Sequence, residues 1–167
     1  MNAPAQSATA RVIAASPETV WALLIDSTRL PQWMPVVTST TGRTEARDMT
    51  RICEVEMGGK SGRVEERCNV FEPATRIGWT LVADTLGFSR LLSDFHFDFS
   101  LEPIPTGTRV VNTTYYRPKG PFAQAMSLLV LRRKFGQVRE GALAALATLA
   151  ESDPPAPVAG AVSRSGV

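Results

Sequence analysis

The chain is 167 residues long, 44% hydrophobic and 20% charged, and its 18 Lys and Arg against 16 Asp and Glu leave a formal charge of +2. A chain of this length fits one domain and can bury roughly two thirds of the surface that its unfolded form exposes, while so small a charge argues against nucleic acid or any other polyanion as its partner. No stretch approaches about 18 consecutive apolar residues, which excludes a helical membrane span and stable membrane insertion.

The opening MNAPAQSATARVIAAS has no basic start leading into an apolar run, so it does not read as a signal peptide. A cytoplasmic protein is expected. Residues 1–7 and 151–167 are rich in Ala, Pro, Ser and Gly and carry no periodicity. Both are expected to be disordered tails around one ordered domain, residues 8–150.

Residues 9–14 alternate weakly and predict a first strand. Ser16 followed by Pro17 predicts a helix start: the hydroxyl can accept an amide of the first turn, and the fixed φ of proline suits a position whose amide has no partner anyway. Val20, Leu23 and Leu24 recur at helical spacing up to Asp26 and Ser27. Two prolines then restrict STRLPQWMP to one short helical turn, which presents Trp33 from a constrained corner.

From residue 36 to 117 the period falls from about 3.6 to 2, the signature of antiparallel strands with one buried face. Six strands are predicted, over 36–44, 49–57, 62–71, 76–83, 90–101 and 108–117. In the second, Cys53 and Val55 oppose Glu54 and Glu56; in the third, Val64 and Cys68 oppose Arg63, Glu65 and Arg67. The clearest alternation sets Phe95, Phe97, Phe99 and Leu101 against Asp94, His96, Asp98 and Ser100, an apolar face against a wet one.

Pro118 and Pro121 stop the last strand and open FAQAMSLLVLRRKFGQVREGALAALATLAE. About thirty residues in one helix reach about 45 Å, enough to cross a small domain. The helix is apolar around nearly its whole circumference over 122–131. It then narrows to a stripe through Val138, Ala142, Ala145, Leu146 and Leu149. Gly136 and Gly141 each cost about 1 kcal/mol against Ala unless packing offsets it.

Cys53 and Cys68 fall on neighbouring predicted strands; a disulfide is conceivable, and reduced thiols are expected. One histidine and no CxxC or HxxxH spacing leave no metal site. GGKSG lies in a strand-to-strand turn and lacks P-loop spacing, so no cofactor is expected.

The order of strand, SPETVWALLID with LPQWMP, six-stranded meander and PKGP-initiated helix resembles the SRPBCC (START/Bet v 1-like) superfamily, in particular its bacterial polyketide cyclase/dehydrase and lipid transport type. The likeness runs over about residues 8–150, with an E-P turn at Glu72-Pro73 and Gly-Thr-Arg at Gly107 to Arg109. It implies an α+β helix-grip fold, in which a curved antiparallel sheet wraps the long C-terminal helix and encloses an apolar cavity. It implies as function the binding or transport of a hydrophobic small molecule, lipid-like or polyketide-like. The alternative is a cofactor-independent polyketide cyclase/dehydratase using the same cavity.

With the phenylalanine face concave, strand parity turns Trp79, Leu81, Cys53, Val55, Val64 and Cys68 inward, with Phe122, Met126 and Leu129 of the helix as a lid. A pocket of this kind holds roughly 300–1,000 Å³. The expected ligand contacts are Trp33, Trp79, Leu81, Phe95, Phe97, Asn112, Thr114, Tyr116, Phe122 and Met126. Asn112, Thr114 and Tyr116 are polar on an inward face, and buried polar groups need partners, from a mutual network, water or a ligand. Opposite parity would turn Val111, Thr113 and Tyr115 inward instead.

Glu66 shares the inward parity of Val64 and Cys68. It is a candidate general acid or base in an apolar cavity, or else the salt-bridge partner of Arg51 in the neighbouring strand. Tyr116 is the other candidate proton carrier. His96 alternates with the phenylalanines and is placed on the convex face; Arg132, Arg133, Lys134 and Arg139 are placed on the solvated side of the long helix, with an anionic headgroup or membrane surface near them as the alternative.

Overall fold

A computed structural model describes residues 3–152. Seven antiparallel strands form one curved sheet in the order β1-β7-β6-β5-β4-β3-β2. They are β1 (Ala5–Ile13), β2 (Val37–Gly42), β3 (Thr50–Met57), β4 (Lys60–Glu72), β5 (Arg76–Asp84), β6 (Leu92–Ile104) and β7 (Gly107–Pro118). From β2 to β7 each strand pairs with the next, and β7 then closes against β1. Short helices α1 (Pro17–Ile25) and α2 (Leu30–Trp33) fill the step from β1 to β2, and α3 (Phe88–Leu91) precedes β6. The chain ends in α4 (Gly120–Met126), a π-helical turn over Ser127–Leu131, and α5 (Arg132–Ser152).

The start of α1 follows from its sequence: the Ser16 hydroxyl accepts the Thr19 amide at 3.2 Å, and Pro17 occupies the first turn. Asp26 ends α1 and caps the next turn through the Thr28 amide at 3.0 Å. The tight β6–β7 turn depends on Gly107, whose φ of 136° and open Cα admit the Ile13 carbonyl; a Cβ there would lie 2.1 Å from that oxygen.

Cross-strand register assembles the concave face in rows. Cys68 pairs with Trp79, Trp79 with Phe97, and Phe97 with Thr114; below them Ile77 pairs with Phe99 and Phe99 with Asn112. Directly paired residues share a face, so each row carries its side chains to the same side. The main core joins this face to α1, α2 and α5 through Leu24, Trp33, Trp79, Phe99, Leu143 and Leu146.

Several sequence expectations are corrected here. β1 begins at Ala5, inside the expected tail, because β7 runs long enough to pair Ala5 with Tyr115 and Ser7 with Thr114 across a bulge. α5 ends at Ser152, two residues past the expected boundary; residues 1–2 and 153–167 of the expected tails lie outside the described residues. The expected strand 90–101 starts only at Leu92, since the Asp84 carboxylate accepts the Phe88 and Ser89 amides, each at 2.8 Å, and winds residues 88–91 into α3.

The buried stripe of α5 is Phe135, Arg139, Ala142, Leu143, Leu146, Ala147 and Ala150, rotated from the expected one, with Val138, Ala145 and Leu149 at its margin. Cys53 and Cys68 are both free and buried. No helix among the described residues is long and apolar enough to cross a membrane.

Candidate functional site

Between the concave sheet face and α5 lies a hollow of about 120 Å³. Leu81, Phe95 and Phe97 from the sheet, Met34 after α2, and Phe135 and Val138 from α5 supply its apolar walls. Its polar groups are few: Arg51, Glu66, Asn112, Thr114 and Arg139. The volume falls short of the expected 300–1,000 Å³ because inward-facing aromatic and guanidinium groups occupy the interior.

Five of the ten expected contacts line this hollow: Leu81, Phe95, Phe97, Asn112 and Thr114. The others lie elsewhere. Trp33 and Trp79 are fully enclosed, each packed edge-on against Phe99 at ring distances of 5.7 and 6.2 Å. Tyr116 sits in a second cluster with Leu92, Leu131 and Phe135, and its hydroxyl shares a hydrogen bond of 2.8 Å with Ser127 Oγ. Phe122 is 70% exposed and Leu129 77% exposed, so neither is a lid, and half-buried Met126 stays outside the lining. In the π-helical turn that follows, the Arg132 amide bonds the carbonyl of Ser127, five residues back, and Ser127 and Leu131 turn inward while Leu128 and Leu129 turn out.

On one side of the hollow the lining rings of Phe88, Phe95 and Phe135 pack together, with centroids 5.5 Å apart for Phe95 and Phe135 and 5.9 Å for Phe88 and Phe135. α3, which carries Phe88, is held by Asp84. Burial raises its pKa, yet hydrogen bonds from Ser89 and from the Phe88 and Gly87 amides outweigh that and leave it below the ordinary aspartate value.

On one wall, Arg51 and Glu66 face each other in register and pair, with Nε donating to Oε2 at 2.8 Å. The Arg51 guanidinium also lies 4.1 Å from the Trp79 ring centroid, a cation–π contact in a dry setting. Cys53 Sγ is 3.9 Å from Glu66 Oε2; burial first, then the Glu66 charge, pushes its thiol pKa up to about 12. It is therefore a protonated packing residue and not a nucleophile. Of the two readings of Glu66, the salt bridge is formed, and the carboxylate also borders the hollow.

On the other wall, Arg139 overturns its expected place on the solvated side of the helix. It is buried, with Nε donating to Thr9 Oγ1 at 3.2 Å and Nη1 to Thr114 Oγ1 at 3.0 Å. The signal was its spacing: Arg139 is four residues from both Phe135 and Leu143, on the buried stripe. Asn112 is part of the internal network as well, its Nδ2 donating to the Asp98 carbonyl at 3.1 Å.

The opposite, convex face carries a polar hollow of about 310 Å³ beside Asn69, Arg76, His96, Asp98 and Tyr115. His96 stacks on Tyr115 with ring centroids 4.5 Å apart. Asp98, expected on a wet face, is buried because the Arg76 guanidinium folds over it and bonds its carboxylate.

The sequence model of the family described as polyketide cyclase / dehydrase and lipid transport matches residues 4–151. No curated protein sequence matches the chain. Among solved structures, a START superfamily protein from Mycobacterium smegmatis superposes with a TM-score of 0.70 at 20% identity, covering 89% of this chain and 98% of that one. The Zhui aromatase/cyclase from Streptomyces sp. R1128 gives 0.70 at 15% identity, over 87% and 92%. TTHA0849 from Thermus thermophilus gives 0.70 at 19% identity, over 88% and 97%. At such identities the likeness is one of fold.

Proposed function

The chain belongs to the polyketide cyclase / dehydrase and lipid transport family, and on that premise we propose that it binds a hydrophobic small molecule, lipid-like or polyketide-like, between the sheet and α5. The observation that carries this reading is the hollow itself: apolar on most of its wall, bordered by a few oriented polar groups, and enclosed by the long helix. Apolar contact with Leu81, Phe95, Phe97 and Val138 supplies affinity, and Asn112 and Thr114 fix orientation. At about 120 Å³ the hollow is at the small end for such ligands. A longer chain is accommodated by movement of the lining rings of Phe88, Phe95 and Phe135.

A second reading, a cofactor-independent cyclase or dehydratase, is favoured by one observation, the Glu66 carboxylate bordering the hollow beside Arg51. In that reading the walls hold a reactive chain folded, and Glu66 moves a proton. Tyr116, bonded to Ser127 and outside the lining, is the weaker candidate.

Native mass spectrometry of the purified protein, with extraction of what it carries after exposure to apolar extracts, tests the proposal. Wild type is expected to hold one small apolar molecule per chain, and Val138→Trp, which fills the hollow from its half-buried helix margin, to hold none. Equal loading of the two proteins would contradict the proposal. Recovery of the molecule with an altered mass would favour the enzyme.

A further inference from the structure

The charges around the hollow do not balance. Arg51 and Arg139 border it, and the one carboxylate among its lining residues, Glu66, is already bonded to Arg51. The groups packed on Arg139 are neutral: Thr9 from β1 and Thr114 from β7, with Tyr116 further along β7. Glu140, its neighbour in the chain, is exposed. No carboxylate lies within salt-bridge distance of Arg139 among the described residues, although the side chain is buried at 7% exposure.

A guanidinium has five N–H donors, and the two threonines take two of them. On the opposite wall, Arg51 Nη1 is buried without a hydrogen-bond partner among the described residues. A buried cation without a counter-charge is costly, and a purely structural anchor for α5 would be served as well by a neutral side chain. Burial holds the Arg139 pKa below its ordinary value, and the charge of the exposed Glu140 offsets this only in part.

We propose that the hollow is built for an amphiphile with an anionic head, a carboxylate, whose oxygens meet Arg139 beside Thr114 while its apolar body lies against Phe95, Phe97 and Leu81. This rests on the reading of the hollow as a hydrophobic ligand site and names the class of ligand it selects. Planar guanidinium and carboxylate groups match in a two-point hydrogen bond. Asn112, whose amide nitrogen is engaged by the Asp98 carbonyl, contributes orientation from the same strand as Thr114.

The test is a calorimetric titration at pH 7 of the full chain with 2-naphthoate and with 2-acetylnaphthalene, which share their size and shape and differ in charge. Wild type is expected to bind the acid at least about tenfold more tightly. Arg139→Gln, whose amide can still reach a threonine, is expected to bind both compounds alike, at the affinity of the neutral one. Arg133→Gln, exposed on the same helix, should keep the preference.

Equal binding of the two compounds by wild type overturns the anionic-head inference and leaves the hydrophobic site standing. No binding of either overturns both. A preference that survives in folded Arg139→Gln removes Arg139 as the head-group contact. The wild-type comparison needs no variant, so the inference stays falsifiable even where Arg139→Gln does not fold.

Discussion

Arg51 is enclosed at 2% exposure because two neighbours replace the water it loses, the Glu66 carboxylate on one side and the Trp79 ring on the other. Removing one member of such a pair strands the other charge, at a cost of about 3–5 kcal/mol, whereas replacing both with apolar groups is often close to neutral. Arg51→Leu and Glu66→Leu are each expected to lower the urea midpoint sharply, and the double variant to recover most of the loss. Additive losses would show that the two side chains do not act as a pair.

Parity placed Arg51 and Glu66 opposite each other from the sequence alone, since in paired strands a shared face and a fixed register leave little freedom. The same logic was insufficient for Asp98, because what buries it is the Arg76 side chain folding over the convex face, a tertiary event that alternation does not encode. Gly78, paired with Asp98, leaves that carboxylate room: a Cβ there would lie 3.0 Å from each of Asn69 Oδ1, Asp98 Cβ and the Phe97 carbonyl.

The long terminal helix shows how an element can be legible in extent and illegible in detail. Pro118, Pro121 and the apolar run announce it, yet the π-helical turn rotates the face downstream, and with it which residues meet the sheet. Leu129, within the turn, faces solvent, and Arg139, downstream of it, lies inside. The two helix glycines separate cleanly. A Cβ on Gly136 would be 3.7 Å from Arg139 Nη2, ordinary contact, whereas one on Gly141 would be 3.2 Å from Pro35 Cγ, where α5 closes on the segment after α2.

Gly136→Ala is accordingly expected to raise stability by about 0.5–1 kcal/mol, read as a higher Tm, through the loss of backbone freedom in the unfolded chain. Gly141→Ala is expected to gain less or to lose, because the proline has to move. A larger gain at Gly141 than at Gly136 would contradict the packing described for α5. Asp84 illustrates the same limit at α3. A local cap took over two residues of the expected strand because a carboxylate beside free amides competes with the ladder.

At the scale of the whole molecule, a sheet that curves from β1 to β2 around one helix has more interior than its side chains fill, and what is left over is the hollow. The order of elements was readable because each has its own period and its own stop signals. The volume was not, since it depends on how far Arg51, Arg139 and the phenylalanines reach into the interior, which no pattern of alternation states. An apolar hollow lies inside the sheet's curve and a polar one on its convex side, and the proposed function requires the first.

Backbone amide NMR during titration with 2-naphthoate decides between them. Binding in the apolar hollow predicts saturable shifts concentrated at Leu81, Phe97, Thr114, Val138 and Arg139, with the convex residues His96 and Tyr115 following only weakly through the sheet. Shifts centred instead on Arg76, His96, Asp98 and Tyr115, or on the exposed Phe122 and Leu129, would place the ligand outside the hollow and contradict the central claim.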